Sequence, residues 1–438
     1  MISRKAMKSY ISLFFLVLFI IVPAFILYLN MPISRAFHPW PALLTSLGKL
    51  TGLIGLSSFA FSLLLASRFV WLDKLFYGLP KVLNIHRYLG TISFSLIILH
   101  PLFLAARLLP VSHQAPLSIF LYWTKAAYIF GYIAILIFMF LIVMTFFWRL
   151  RYERLKSLHS LLSVPLMLGG IHGLLIDSDI KRMEVLAWYY IILISISVLV
   201  YLARLFLIEG GIKAKSFVVE NVSKPSHNTI KLILKPVKKT LACQPGQFVF
   251  VSFPSIKKNE EHPFSVAYIL PDGGIAIIAK VLGDYTAQLS SLQVGSTAKV
   301  DGPYGNFGDS MEKSKRQVWI AGGIGITPFI SMAQSYVACP SEDSQVDIFY
   351  VVADEKDLAE ADDLRQMDDG CPNFTLTTYV SNDQGRFDIS KLSSFVRDFR
   401  DCEFFICGPA GMVEYFVGAL RKENIPKSRI NIEAFKLL

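Results

Sequence analysis

The sequence predicts a multi-pass α-helical membrane domain of six helices, followed by an antiparallel β-barrel and then an α/β domain. Three observations carry this expectation. Six apolar runs, near 9–30, 41–67, 86–108, 122–148, 159–176 and 183–206, are each long enough to cross a bilayer at about 1.5 Å rise per residue. From about Lys213 the pattern changes to short segments that alternate apolar with polar residues between turn residues. After a polar linker, SMEKSKRQ, it changes again to strand, glycine loop and helix. The domains expected are 1–209, 210–312 and 313–438.

The first run follows Arg4, Lys5 and Lys8 and lacks a small-residue cleavage site, so it reads as a retained helix and not a signal peptide. Between spans, one side holds Arg4, Lys5, Lys8, Arg68, Lys74, Lys81, Arg149, Arg151, Arg154 and Lys156. The other side holds Arg35, Lys49, Arg107, Lys125, Lys181 and Arg182. The richer side marks the cytoplasm, which puts both termini there and the protein in the plasma membrane (the inner membrane of a cell with two). The net charge of +10 suits basic loops held against anionic lipid. No basic stretch is interleaved with stacking aromatics, which argues against nucleic acid as a partner. All five cysteines lie after the sixth run and none forms a C-x-x-C pair, so zinc and thiol-redox motifs are absent.

Half of the eight histidines sit at the ends of two apolar runs. His86 and His100 bracket the third, in HRYLGTISFSLIILHP, and His159 and His172 bracket the fifth, in HSLLSVPLMLGGIH. A 14-residue step on an ideal helix covers about 21 Å and returns to within about 40° of the same face. The 13-residue step lands about 140° away, so that spacing alone argues against a shared face. Pro165 and the Gly169-Gly170 pair can bend or tighten the span. Both spans run in the same direction, which sets His86 level with His159 and His100 level with His172. Two imidazoles at each of two levels suit axial ligation of two haems stacked across the bilayer. Gly90, Gly169, Gly170 and Gly173 are small residues near the ligands, where a flat macrocycle needs room. The plainer alternative is four interfacial or hydrogen-bonded histidines. It would lead for a single membrane histidine and loses ground with four at matched depths. His38, His113 and His227 read as loop residues.

With these pairs the chain resembles the NADPH oxidase and ferric reductase family. That family carries histidines 14 apart on its third membrane helix and 13 apart on its fifth, and they hold two b-type haems. The resemblance runs over about residues 8–438 and implies FAD and NADPH or NADH as the other cofactors.

In the following part, KSFVVENV, NTIKLILKP and GQFVFVSF read as barrel strands, then come HPFSVAY (262–268), IAIIAKVLGDYTAQL (275–289) and DGPYG (301–305). A flavin needs an aromatic neighbour, a hydrogen-bond donor near N5, and backbone N–H groups at a helix start for its pyrophosphate. Phe264 and Ser265 can supply the first two. The end of a strand at Lys280, followed by Gly283, Asp284, Tyr285 and Thr286, can supply the third. Each word alone is common; their order is not. The ferredoxin reductase-like superfamily places R-x-Y-S/T on a barrel strand, and its membrane oxidase branch is similar to His262-Pro263-Phe264-Ser265 here. The resemblance extends to P-G-Q-F at 245–248 and G-D-Y-T at 283–286. His262 stands where soluble members carry an arginine near the pyrophosphate.

The segment VWIAGGIGITPFISM holds Gly322, Gly323, Gly325, Thr327 and Pro328. Such a loop admits a pyrophosphate to a helix start, although a plain tight turn has the same composition. The superfamily writes G-x-G-x-x-P here and C-G-P later, matching Cys407-Gly408-Pro409. The resemblance places Cys407 beside the nicotinamide and a near-terminal aromatic, Phe435, over the flavin; a buried structural thiol and a core phenylalanine are the alternatives. In VDIFYVVADEKD the strand ends in Ala353-Asp354, which favours NADH, with Arg386 available to serve NADPH and dual use expected.

The function this implies is transmembrane electron transfer from cytoplasmic NAD(P)H through FAD and two b haems to an extracytoplasmic acceptor. The acceptor expected is O2, giving superoxide; a ferric chelate is the alternative. Ser265, Cys407 and Phe435 are the expected catalytic residues. Arg107 and His113 lie on the acceptor side. The competing class is a non-enzymatic haem-binding membrane module, which the intact glycine loops oppose.

Overall fold

The computed structural model describes residues 4–29, 39–113, 115–119, 125–147, 152–176, 179–206, 215–257, 260–313, 315–340, 343–396 and 398–434. Two compact units divide the chain, one over residues 7–207 and one over residues 208–438 together with residues 1–6.

In the first unit, six helices are long and apolar enough to cross a membrane. The chain runs α1 (Arg4–Leu29), α2 (Trp40–Ala66), a short α3 (Val70–Phe76), α4 (Leu79–Ala106), α5 (Ala126–Phe147), α6 (Tyr152–Ser160), α7 (Ser163–Leu175) and α8 (Glu184–Arg204). The fifth crossing is the α6–α7 pair. Polarity is inverted relative to a water-soluble bundle: Phe14, Phe25, Phe140, Trp188 and Leu199 are exposed, while Ser57, Ser58, Ser62 and Ser93 are buried. Lipid accepts the former, and helix contacts shelter the latter. Asp73 on α3 caps the next span, its Oδ1 accepting the Leu79 N–H at 2.6 Å.

The second unit opens with six strands, β1 (Lys215–Ser226), β2 (Thr229–Pro236), β3 (Phe248–Ser252), β4 (His262–Ile269), β5 (Ile275–Lys280) and, after the short α9 (Asp284–Gln288), β6 (Thr297–Tyr304). They close a barrel in the order β1-β2-β5-β4-β3-β6, every pair antiparallel. Alternate residues fill it: Phe217, Leu232, Val249, Val251, Val266, Ile277 and Val300.

Then come β7 (Arg316–Gly322), α10 (Thr327–Ala338), β8 (Gln345–Val352), α11 (Ala361–Gly370), β9 (Phe374–Val380), β10 (Cys402–Gly408), α12 (Ala410–Lys422) and β11 (Ile430–Ala434). The five strands form a parallel sheet, β11-β10-β7-β8-β9. Strand β7 sends Trp319 and Ala321 into one layer and Val318 and Ile320 into the other, as expected of a sheet covered on both faces. The strand order reverses between β7 and β10, which makes their carboxyl ends the crevice of this fold.

Candidate functional site

Helices α4 and α6–α7 bring the four membrane histidines into two facing pairs. The His86 and His159 ring centroids lie 6.0 Å apart, and those of His100 and His172 lie 6.5 Å apart. Two metal–nitrogen bonds of about 2.0–2.1 Å, plus about 1.1 Å from each nitrogen to its ring centre, require about 6.3 Å. Both pairs therefore fit one metal ion held between them. Among the described residues no group of three or more His, Cys, Asp or Glu side chains forms a metal site. Each facing pair is a donor set that could hold an iron whose other ligands come from a macrocycle.

The Nδ1 atoms fix which nitrogen faces the partner ring. His100 Nδ1 lies 2.7 Å from the Gly48 carbonyl, His172 Nδ1 2.7 Å from the Ala127 carbonyl, and His86 Nδ1 2.9 Å from the Ser62 carbonyl. A carbonyl only accepts, so these Nδ1 atoms carry the proton and each Nε2 presents a lone pair. His159 Nδ1 approaches the Thr145 hydroxyl at 3.4 Å, and that hydroxyl donates to the Leu141 carbonyl. Two glycines absent from the sequence reading complete the cradle. A Cβ on Gly52 would sit 2.7 Å from His100 Nδ1, and one on Gly131 2.8 Å from His172 Nδ1. Of the glycines expected near the ligands, Gly170 instead faces Ile194, Gly173 faces Ile180 and Gly169 faces Leu56. They make room for neighbouring helices.

The 13-residue spacing is eased by a break in the fifth crossing. Pro165 has no N–H for the Leu161 carbonyl, which takes the Val164 N–H at 2.9 Å. The Leu161 and Leu162 N–H groups likewise bond three residues back, to Leu158 and His159. A residue turning 120° where an α-helix turns 100° recovers about 20°, so three of them cut the mismatch from about 140° to about 80°.

In the barrel, the Ser265 Oγ is buried with no hydrogen-bond partner among the described residues. An orphaned donor at this point of β4 fits a flavin ring nitrogen. Phe264 packs in the barrel core with Val249, Val251 and Tyr285, on the other face of the strand from Ser265. His262 pairs with Glu260 at 2.7 Å and stacks on Tyr285 at 4.0 Å, while Pro263 is exposed. At the helix start, the Leu282 and Gly283 N–H groups are taken by Thr286 Oγ1, and the Tyr285 N–H by Asp284 Oδ1. Asp284 itself is paired with Lys257 at 3.1 Å. Lys280 ends β5 opposite Thr229.

At the crevice, the two loops written as G-x-G-x-x-P and C-G-P lie against each other. Cys407 pairs with Ala321 across β10–β7, and a Cβ on Gly325 would run into the Cys407 carbonyl. Gly323 (φ 54°) and Gly408 (φ 157°) lie in backbone regions that favour glycine. Thr327 Oγ1 donates to the Ile324 carbonyl and Pro328 opens α10, with Pro409 in the same role before α12. Ser331 on α10 accepts the Gly246 N–H at 3.0 Å, tying the P-G-Q-F turn to this loop.

Cys407 is fully buried, and burial, then Glu433, push its thiol well above the ordinary range, so it is neutral. Glu433 lies opposite Cys407 on β11. Burial pushes its carboxyl up to about 8, and its Oε2 has no partner among the described residues. Sequence reasoning missed it, because only the pairing of β11 with β10 sets it against Cys407. Phe435 and His38 lie outside the described residues. His113 is exposed, and the His227 Nδ1 bonds the Lys356 carbonyl. Arg386 rests over the Tyr415 ring, and Asp354 accepts the Lys356 N–H.

Each of the three parts matches a known protein family. Residues 51–170 match a ferric reductase like transmembrane component, 214–320 an FAD-binding domain and 319–417 an oxidoreductase NAD-binding domain. The chain is 26% identical over 227 residues to the toluate 1,2-dioxygenase electron transfer component of Pseudomonas putida, covering 50% of this chain and 66% of that protein. It is 28% identical to a superoxide-generating NADPH oxidase heavy chain of Dictyostelium discoideum, over 49% of this chain and 33% of that one. It is 26% identical to the plasma membrane-associated coenzyme Q6 reductase PGA3 of Saccharomyces cerevisiae, over 41% and 61%. Each match thus spans between a third and two thirds of the relative's length. Among solved structures, the Amycolatopsis cytochrome P450 reductase GcoB shares 23% identity with a TM-score of 0.46, over 51% of this chain and 70% of that one.

Proposed function

We propose, for a chain that belongs to the ferric reductase and NADPH oxidase family of membrane oxidoreductases, that it moves electrons from NAD(P)H across the bilayer to an acceptor on the far side. The single observation that supports this most is the pair of facing histidine levels, 6.0 and 6.5 Å across, each ring oriented through Nδ1. When bound, FAD takes a hydride and releases electrons singly, and b haems relay them.

The residues divide that work. Gly322, Gly323 and Gly325 leave the β7 loop bare enough for a pyrophosphate, next to the start of α10. Cys407, a neutral thiol, bounds the nicotinamide end of the crevice without charge. Ser265 offers its hydroxyl to the flavin ring. His86 with His159, and His100 with His172, would hold the haem iron at their levels from both sides, which would leave the acceptor to be reduced without becoming an iron ligand. Asp354 near the end of β8 favours the 2′-hydroxyl of NADH over a 2′-phosphate, with both nucleotides used.

The Lys and Arg count places the His86–His159 level on the cytoplasmic side, together with both termini, in the plasma membrane. Our reading of the acceptor is O2, reduced by one electron to superoxide. A ferric chelate is the second reading, favoured by Arg107. It stands seven residues past His100 on nearly the same helix face, with a buried Nε that makes no hydrogen bond within the described residues. Anaerobic reduction of the haem-loaded protein by NADH and by NADPH, followed by oxygen or ferric citrate, separates the readings. Rapid oxidation by oxygen with dismutase-sensitive superoxide is expected. Reoxidation by ferric citrate alone would replace oxygen as acceptor, and no haem reduction by either nucleotide would overturn the proposal.

A further inference from the structure

The two histidine levels differ in how their rings are hydrogen-bonded. At one level both Nδ1 atoms face backbone carbonyls at 2.7 Å, Gly48 for His100 and Ala127 for His172. At the other, His86 shares its Nδ1 proton between the Ser62 carbonyl at 2.9 Å and the Ser62 hydroxyl at 3.0 Å. Among the described residues His159 has only the Thr145 hydroxyl, at 3.4 Å. That hydroxyl spends its own proton on the Leu141 carbonyl at 2.7 Å, so it acts toward His159 as an acceptor. A hydroxyl at the outer limit of hydrogen-bond distance accepts far more weakly than a carbonyl at 2.7 Å.

The strength of an Nδ1–H bond reaches the metal through the ring. A strong acceptor gives the imidazole anionic character, raises the basicity of Nε2 and favours the oxidised iron. These bonds therefore rank the levels: two strong donors at His100–His172, one intermediate and one weak donor at His86–His159.

We infer that Thr145 is a positioning residue that tunes the reduction potential of the haem held by His86 and His159: as a weaker acceptor than the Gly48 and Ala127 carbonyls, it lowers that potential only slightly and leaves it above that of the haem held by His100 and His172. The inference rests on the bis-haem reading above and deepens it. Electrons entering at the His86–His159 level then wait on the more easily reduced site and leave by a step that the acceptor draws forward. Thr145 touches neither iron nor substrate; it acts through His159.

The test is a redox titration of the purified full-length protein, followed by its haem absorbance. Haem content is measured first, and fewer than two haems per chain counts against the bis-haem reading and not against this inference. In protein carrying both haems, Thr145→Val removes the hydroxyl that accepts the His159 Nδ1–H. The higher midpoint potential should move further upward and the lower should stay in place, with Thr145→Ser restoring the original value. Unchanged potentials in Thr145→Val, or movement of the lower one, would overturn the inference. A second measurement does not depend on that variant. His100→Ala leaves the haem of the other level and should titrate above His86→Ala, which leaves the His100–His172 haem. Equal or reversed potentials overturn the inference as well.

Discussion

A glycine can matter more to a metal site than a polar residue does. Gly52 and Gly131 contribute nothing to the histidines except the absence of a Cβ, and each lies within 3 Å of an imidazole nitrogen once that atom is added. Gly52→Ala should therefore displace His100 and remove about one of two haems, read as haem per chain after extraction. Gly90→Ala, whose nearest neighbour would be Ser62 Oγ at 3.6 Å, should keep both. The two facing histidine pairs were legible as residues because a polar ring in lipid needs a partner. Gly52 and Gly131 were not, because a glycine in an apolar helix carries no mark of the ring it faces across a helix contact.

Glu433 makes the complementary case in the soluble unit. Its carboxyl is raised from an ordinary 4.5 to about 8 by burial. Between those values the folded chain holds a proton that the unfolded chain has lost, so stability falls as pH rises through that window and levels off above it. Thermal unfolding of the full-length protein should show that decline, and Glu433→Gln should flatten it. A slope unchanged by the substitution would remove Glu433 from the account. Near-terminal position hid this residue, since only the pairing of β11 with β10 brings it against Cys407.

Among the elements, the fifth crossing shows where periodicity arguments stop. An ideal helix cannot place His159 and His172 on one face, and the sequence offered Pro165 and two glycines as remedies. The proline is the effective one: with no N–H at 165, the Leu161 carbonyl takes the Val164 N–H instead, three residues on, and the turn tightens. Pro165→Ala would allow the ordinary i→i−4 bond and a regular helix. His172 should then rotate away from His100, with loss of about one haem and little change in the other, visible in the same redox titration. Retention of both haems would move the cause of the tight turn elsewhere. The strand motifs divided differently. HPFS was legible as a strand, while the inward orientation of Phe264 was not, because alternation along β4 depends on which face the closed barrel turns inward. In the G-D-Y-T turn the Gly283 N–H goes to Thr286 Oγ1 and the Tyr285 N–H to Asp284 Oδ1, side-chain bonds that the motif's spacing did not announce.

At the scale of the whole chain, hydropathy separates the first unit, which exposes Phe14, Phe25 and Phe140, from the second, which buries Phe217, Phe253 and Phe329. The barrel and the parallel sheet followed from alternation and from glycine loops at strand ends. Less legible was how the two soluble parts hold each other. Lys231 and Tyr268 of the barrel meet Glu360 at 2.7 and 2.6 Å, and Asn228 meets Asp357 at 2.9 Å, through charges that read in sequence as ordinary surface residues. Long-range polar contacts of this kind have no local period.

The central claim is that electrons cross the bilayer through the two histidine levels. The direct measurement uses sealed vesicles carrying the full-length protein with haem and FAD, given NADH or NADPH on the face of the soluble unit and ferricyanide trapped on the other. The account predicts reduction of the trapped acceptor by the original protein and its loss in His86→Ala and in His172→Ala. Full transfer in either variant would contradict it.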